Sequence, residues 1–196
     1  MTEKERCGWS GDDPIYREYH DKEWGVPVYN DRKLFEFLLL ESAQAGLSWI
    51  TILKRRKNYS EAFAEFDPQK IAEYGGDKIN KLKNNPGIIR NKLKIESAVN
   101  NAQKFLELQD KYGSFSSYIW SFTDGRQITN NYQTLKEVPA FTELSEKISG
   151  EMKKKGFKFI GPTIIYAYMQ AVGIVNDHLV RCFRHQEIIE ITSNKM

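Results

Sequence analysis

Two cysteines and two histidines are the residues of this sequence whose types suggest metal chemistry. His178 and Cys182 lie four positions apart, so on a helix they would share one face. Cys7 and His20, near the other end of the chain, complete a set of two cysteines and two histidines. Such a set suits a tetrahedral Zn²⁺. Because four protein ligands leave no position for water, the predicted zinc site is structural rather than catalytic.

The same residues have plainer interpretations. Both cysteines could be buried thiols, and His20 could be a hydrogen-bonded histidine of the core. A disulfide between Cys7 and Cys182 is disfavoured in a reducing compartment. From the pattern alone, zinc and buried thiols both stay open.

One carboxylate lies on an apolar helical stripe. Leu34, Leu38, Glu41 and Ala45 are spaced four, three and four residues apart, which places them on one face. A buried carboxylate is costly unless it is paired or hydrogen-bonded, and it often marks a functional site. The alternative is a glutamate near a helix end that turns to solvent or caps a backbone group.

Aromatic residues are concentrated in the same part of the sequence as Glu41. The first fifty residues contain Trp9, Tyr16, Tyr19, Trp24 and Trp49. Core packing explains many such clusters. A flat cationic or aromatic ligand held between rings, with a carboxylate at its edge, explains this one as well.

A glycine-containing hairpin, "KKKGFKFIGPT" at residues 153–163, precedes a predicted helix. Helix N-termini expose backbone N–H groups and favour anions such as phosphate. "KRRK" at residues 54–57 is a second basic cluster. Each cluster alone is typical of a solvated surface, whereas together with the hairpin they suggest contact with a nucleic-acid backbone.

Helical periodicity dominates the elements that must position these residues, and it predicts an all-α fold with one core. We expect a helix capped by Asp31 and ended by Gly46, and "SWITILKRRKNYSEAFAEF" should continue as helix. A short helix should follow Asp67 and end at the Gly75-Gly76 pair. The longest helix should lie within residues 84–113, followed by a short aromatic helix. A helix ending at Gly156, the hairpin, and a helix from Pro162 to Gly173 should follow, and residues 124–139 have the least defined pattern.

Bulk composition is that of an ordinary globular chain: 196 residues, 40% hydrophobic, 28% charged, net charge +3 and pI near 8.7. We expect a single domain over residues 1–196, a cytoplasmic location and no membrane partner, since signal-peptide and membrane-spanning patterns are lacking. The mild positive charge fits an anionic partner without requiring one. A zinc-dependent deaminase would need H-x-E and P-C-x-x-C motifs, and neither occurs.

Long motifs between residues 7 and 182 resemble the constitutive bacterial 3-methyladenine DNA glycosylases. These are "RCGW", "YHDKEWGVP", "LFEFLLLESAQAGLSWITILKRR", "PGIIRNKLKIESAVNNA" and "KKGFKFIGPTIIYAYMQAVGIVNDH". The resemblance implies an all-α helix-hairpin-helix glycosylase fold, with the helix-hairpin-helix unit at about residues 142–173. It also implies a structural zinc ion held by Cys7, His20, His178 and Cys182, which joins the N- and C-terminal segments.

The resemblance further implies an activity and a base pocket. The expected enzyme is a monofunctional, monomeric glycosylase that flips 3-methyladenine out of double-stranded alkylated DNA and hydrolyses its N-glycosidic bond. In the pocket, Glu41 is the key carboxylate, Tyr19 contacts the base with it, Trp49 stacks on the base, and Trp9 and Trp24 line the walls.

The expected DNA contacts come from two loops. Gly46 and Leu47 resemble the loop that enters the gap left by the base, and the hairpin residues Lys158, Gly161 and Thr163 would contact the DNA backbone. Other helix-hairpin-helix relatives carry an essential aspartate after the hairpin, which makes Asp177 a lesser catalytic candidate. The rival interpretation, a non-catalytic DNA-binding module, leaves Glu41 and the aromatic residues unexplained.

Overall fold

The computed structural model describes residues 4–193 of the chain. Within that range eleven α-helices and two very short strands form, which confirms the mainly helical fold expected from the sequence. The helices are α1 (Pro14–Lys22), α2 (Asp31–Gln44), α3 (Trp49–Leu53), α4 (Arg56–Ala62), α5 (Pro68–Ala72), α6 (Gly76–Lys83), α7 (Lys92–Tyr112), α8 (Phe115–Trp120), α9 (Glu143–Lys154), α10 (Pro162–Ala171) and α11 (Phe183–Ser193). The strands are β1 (Ile128–Thr129) and β2 (Val175–Asn176).

Helix α2 starts one residue differently from the prediction. Its N-cap is Asn30, whose side chain accepts a hydrogen bond from the Lys33 N–H, so the assignment of Asp31 as the cap was wrong. The Asp31 carboxylate instead accepts from the backbone N–H groups of Phe115 and Ser116, at 2.9 and 2.8 Å. One acidic side chain thereby joins the start of α2 to the start of α8.

The stretch after α2 is not one continuous helix. Helix α3 ends at Leu53, α4 runs over Arg56–Ala62, and a turn with positive φ angles at Ala64 and Glu65 follows. The Gly75-Gly76 pair does not simply end a helix, since Gly75 caps the start of α6, a helix that the sequence analysis did not identify. Short helices separated by tight turns lack the long periodic run that a sequence pattern detects.

The poorly defined stretch 124–139 is tied to the core by a parallel strand pair. Ile128 lies opposite Val175, and the Asn130 N–H donates to the Asn176 carbonyl at 3.1 Å. This pairing fixes the segment that leads directly into His178.

The N-terminal segment packs on the end of α10. Gly25 N–H donates to the Gln170 carbonyl at 2.9 Å, and Val28 N–H donates to the Val172 carbonyl at 3.0 Å. Gly173, at φ +70°, makes this approach possible, because a Cβ there would lie 2.3 Å from the Val26 carbonyl carbon. Aromatic residues near the start of the chain are therefore held against a helix near its end.

Buried apolar side chains form one hydrophobic cluster that includes residues from Cys7 to Cys182. Helix α10 packs against both α2 and α9. Among residues 4–193 there is no helix long and apolar enough to cross a membrane.

Candidate active site and metal centre

A pocket of about 310 Å³ opens between α1, α2, α3 and α10. This volume suits a small planar ligand. Its lining residues are Trp9, Tyr16, Tyr19, Trp24, Glu41, Gln44, Trp49, Leu135, Val138, Ala167, Gln170 and Asp177. All five residues predicted for the base pocket (Trp9, Tyr19, Trp24, Glu41 and Trp49) therefore line one cavity.

Glu41 is the acidic residue of α2 that faces this pocket. It is 3% exposed, and its Oε2 has no hydrogen-bond partner among the described residues. Burial raises the pKa of the Glu41 carboxyl to about 8. The indole Nε1 of Trp49 is also buried without a partner. Buried polar groups are nearly always hydrogen-bonded, so these two groups of the pocket are available to bond to a ligand bound there.

The aromatic walls pack on one another at tilted angles. Ring centroids lie 5.0 Å apart for Trp9 and Tyr16, 4.9 Å for Trp9 and Trp24, and 5.4 Å for Tyr19 and Trp49. Burial, and secondarily the Glu41 carboxyl, raises the pKa of Tyr19 well above its ordinary value, so its hydroxyl stays protonated. The walls are thus electron-rich rings with a carboxyl between them.

Several lining residues were not predicted as site residues. Tyr16 belongs to the aromatic cluster found in the sequence, but no role in the pocket was assigned to it; it lies three positions before Tyr19 on α1, and helical spacing indicates that it faces the same side. Leu135 and Val138 come from an irregular stretch in which no periodicity marks an inward side. The signal for these two was absent because their position depends on the long-range strand pairing.

Asp177 also reaches the pocket, but its carboxylate is fully engaged within the protein. It accepts hydrogen bonds from the Tyr166 hydroxyl at 2.5 Å, Gln170 Nε2 at 2.7 Å and Asn130 Nδ2 at 2.7 Å. These contacts join α10, the residue that follows β2 and the segment after β1. The Asp177 carboxylate is therefore placed to hold these segments together, which is a structural role.

Two of the four basic residues predicted to form a cluster at 54–57 make ion pairs within the protein. The Arg56 guanidinium bonds to both oxygens of Glu23 and to Glu36, at 2.6–2.8 Å. Lys54 pairs with Asp13 at 2.7 Å. The cluster therefore does not present four free cations to a partner.

Cys7, His20, His178 and Cys182 come together in the structure. All four are buried, and their ligand atoms lie within 4.8 Å of one another. The Nδ1 of His178 lies 3.6 Å from the sulfur of Cys7 and 3.5 Å from that of Cys182, and His20 Nε2 lies 3.5 Å from the Cys182 sulfur. Zinc with bonds of about 2.3 Å to sulfur and 2.0–2.1 Å to nitrogen gives tetrahedral sulfur–nitrogen edges of roughly 3.6 Å. The four residues have the spacing of a metal site.

The outer ring nitrogens of both histidines are also positioned as a metal site requires. His20 Nδ1 lies 2.8 Å from Asp21, which Arg6 holds in turn, and His178 Nε2 donates to the Trp24 carbonyl at 3.0 Å. Such contacts fix which nitrogen faces the metal. Burial lowers the pKa of His178, which favours the neutral ring that metal binding needs.

His178 and Cys182 do not lie on a helix, so the prediction that they share one helix face was wrong. Residues 178–182 lie in a turn between β2 and α11, in which Cys182 N–H donates to the Leu179 carbonyl at 2.7 Å. The two side chains converge because the turn folds back, not because they share a helix face.

The two loops predicted to contact DNA are both at the surface. Gly46 and Leu47 form an exposed tip between α2 and α3, with Gly46 at φ +79°. Lys158 is exposed on the segment that joins α9 to α10, Gly161 at the end of that segment is partly buried, and Thr163 is exposed in the first turn of α10. Asn101 of α7 bonds to the backbone N–H and carbonyl of Lys158, both at 2.8 Å.

These features define the class of protein: a helical protein with a small aromatic pocket, a buried carboxyl inside it and exposed loops beside it. The methyladenine glycosylase family model matches residues 9–185, and the chain belongs to that family. It is 46% identical over 178 residues to DNA-3-methyladenine glycosylase 1 of Escherichia coli (strain K12), covering 91% of this chain and 95% of that one. It is 48% identical over 177 residues to DNA-3-methyladenine glycosylase of Haemophilus influenzae, covering 90% and 96%.

A solved structure has the same fold. The 3-methyladenine DNA glycosylase I of Staphylococcus aureus, described with the structural basis of 3-methyladenine recognition, superposes with a TM-score of 0.88. The identity is 38%, and the match covers 91% of this chain and 95% of the other.

Proposed function

We propose that this protein is a base-excision repair enzyme that removes 3-methyladenine from alkylated double-stranded DNA by hydrolysis of the N-glycosidic bond. The observation that carries the proposal is Glu41 Oε2, a buried oxygen without a partner in an aromatic pocket. Family membership supports the assignment.

The chemistry of the lesion suits this pocket. Alkylation at N3 gives the adenine of the nucleotide a positive charge, so the base leaves as a neutral molecule and its bond to the sugar is already weak. The enzyme must take the nucleotide out of the stack, hold the cationic purine and admit water to the sugar. Water then adds to the anomeric carbon, the base departs with the bonding electrons, and one proton passes to solvent.

Glu41 and the rings would recognise the charge. A desolvated cation over aromatic faces gains about 2 kcal/mol or more. Glu41, ionised beside the cation, would accept hydrogen bonds from the exocyclic amine, and charge-assisted bonds of this kind contribute about 1.5–3 kcal/mol. Trp49 would stack on the base, Tyr19 would contact it, and Trp9 and Trp24 would close the walls. Unmethylated adenine lacks the charge and would lose most of this binding energy.

The remaining assignments belong to the same proposal. Residues 142–173, with Lys158, Gly161 and Thr163, would act as the helix-hairpin-helix unit on the DNA backbone, and Gly46 and Leu47 would enter the gap in the duplex. Because no lysine is among the described residues that line the pocket, a Schiff base is not expected and the enzyme would be monofunctional. The chain would act as a single-domain monomer.

Zn²⁺ is the metal that the sulfur and nitrogen donor set favours, held by Cys7, His20, His178 and Cys182. When bound, it would supply no chemistry to the reaction and would join the two ends of the chain. Metal analysis of the purified protein should find about one zinc per chain, and Cys182→Ser should carry much less. A metal content near zero in the unaltered protein would end this assignment.

The activity is tested by release of 3-methyladenine from methylated duplex DNA. Glu41→Gln should lower kcat/KM by about tenfold to a hundredfold, the equivalent of one charge-assisted hydrogen bond, and should leave the fold intact. Glu61→Gln, an exposed glutamate of α4, is the matched control and should behave like the unaltered protein. Full activity in Glu41→Gln would remove Glu41 from its role, and no base release by the unaltered protein would refute the function. A DNA adduct trapped by borohydride would contradict monofunctional chemistry.

A further inference from the structure

A lysine from a distant helix caps the carboxyl end of the helix that carries Glu41. Lys94 Nζ donates to the Ala43 carbonyl at 2.8 Å and to the Ala45 carbonyl at 2.6 Å. The last carbonyls of a helix have no partner within the helix, and the negative end of the helix dipole attracts a cation. The Lys94 ammonium therefore satisfies two acceptors at the point where α2 ends.

The chain changes direction at this point. Ala45 leaves the helix with φ −39° and ψ 116°, Gly46 turns at φ +79°, and Leu47 N–H donates back to the Gln44 carbonyl at 2.6 Å. The exposed tip begins one residue after the second carbonyl that Lys94 holds. Leu47, an apolar side chain that is 40% exposed, is the outermost apolar side chain of this tip.

Lys94 is committed to this contact. It is partly buried, and none of the ion pairs found within residues 4–193 includes it. Burial lowers the pKa of its ammonium, and the two carbonyl oxygens replace the water that it loses. Lys92, two positions earlier on α7, is exposed and pairs with Glu96 alone at 3.8 Å.

We propose that Lys94 is a positioning residue for base flipping: it holds the Gly46–Leu47 tip in the conformation that enters the duplex. This inference rests on the proposed function. Glu41 lies inside α2 before the capped carbonyls, and Trp49 starts α3 after the tip, so each has its own helical support. Loss of the ammonium should loosen the tip while the base pocket stays formed.

The test compares Lys94→Met with Lys92→Met. On methylated duplex DNA, Lys94→Met should lower kcat by about tenfold to a hundredfold, since misplacement of about 1 Å can have that effect. The affinity for free 3-methyladenine, followed by tryptophan fluorescence, should stay within about threefold, because this tip does not form the pocket walls. On methylated single-stranded DNA, in which no base pair has to be opened, the loss should be much smaller. Lys94→Arg should recover most of the duplex activity, and Lys92→Met should match the unaltered protein.

Several results would overturn the inference. Equal losses on duplex and single-stranded DNA, or weakened binding of the free base, would mean that Lys94 supports the pocket itself. A duplex defect that Lys92→Met shares, and whose size falls as salt is raised, would mean a phosphate contact. If the unaltered protein binds the free base but releases none from either DNA, the proposed function fails instead, so the two failures are distinguishable.

Discussion

Trp24 and His178 contact each other in two ways. The His178 ring donates from Nε2 to the Trp24 carbonyl at 3.0 Å, and the two rings meet edge to face with centroids 4.6 Å apart. Trp24 lines the pocket, and His178 belongs to the buried cysteine–histidine cluster. The candidate metal centre and the candidate base pocket are therefore neighbours that share a wall.

Asp21→Asn should weaken metal binding without removing a ligand. The Asp21 carboxylate accepts from His20 Nδ1 and is held by Arg6, so it orients the ring whose Nε2 faces the cluster. Loss of such a supporting partner typically lowers metal affinity about 10–100-fold. A competition titration with a zinc chelator measures the change, with Asp110→Asn, an exposed aspartate of α7, as control. Equal affinity in both variants would show that the contact does not orient His20.

Glu41→Gln should change the pH dependence of stability. Burial raises the pKa of Glu41 from 4.5 to about 8 in the folded protein. Between these values the unfolded carboxyl is ionised while the folded one keeps its proton, so stability falls as pH rises, by up to about 1.4 kcal/mol per pH unit. Glutamine does not ionise, so the stability of Glu41→Gln should not fall for this reason. The difference between the Tm of Glu41→Gln and the Tm of the unaltered protein should therefore increase from pH 4.5 to pH 8. Parallel Tm profiles for the two proteins would contradict a raised pKa.

Asp177→Asn should lower stability more than activity. Three donors point at the Asp177 carboxylate, and an amide would place its own N–H groups against at least one of them. An unsatisfied buried donor typically costs about 1–3 kcal/mol, so Tm should fall by several degrees. Base release per folded molecule should stay within about threefold of the unaltered protein, since all three donors belong to the fold. A fully stable Asp177→Asn protein without activity would instead make Asp177 catalytic.

Asn101→Asp should weaken binding to DNA and spare binding of the free base. The Asn101 amide holds both backbone groups of Lys158, and an aspartate would keep the acceptor but lose the donor to the Lys158 carbonyl. The joining segment also contains Phe159 at φ +53°, a conformation that needs support from its surroundings. Binding to duplex DNA, measured over a range of salt concentrations, should weaken about tenfold, more than for Asn84→Asp, an exposed asparagine with the same charge change. If both variants lose the same DNA affinity, the added negative charge alone explains the effect and the Asn101 contact has no part in it.

The sequence predicted the long helices and the residues that meet in the pocket, because each gives a local signal. Glu41 interrupts an apolar stripe, and α7 has a clear helical period. The start of α2 was misplaced by one residue because Asn30 and Asp31 are both good caps, and only the distant α8 decides that Asp31 serves elsewhere. Lys94 gives no local signal because its partners Ala43 and Ala45 lie about fifty positions away in the chain. Leu135 gives none because its position depends on the pairing of β1 with β2.

The contact between the two ends of the chain has a consequence for synthesis on the ribosome. The walls formed by Trp9, Tyr19 and Trp24 are made first, yet the segment that carries them rests on Gln170 and Val172 and adjoins His178. Because synthesis starts at the N-terminus, an early segment can pack only after the later residues that it contacts have left the ribosome. The aromatic side chains of the nascent segment therefore stay without these partners until residues 170–178 have been translated, and the pocket that would hold a damaged base forms only after that point.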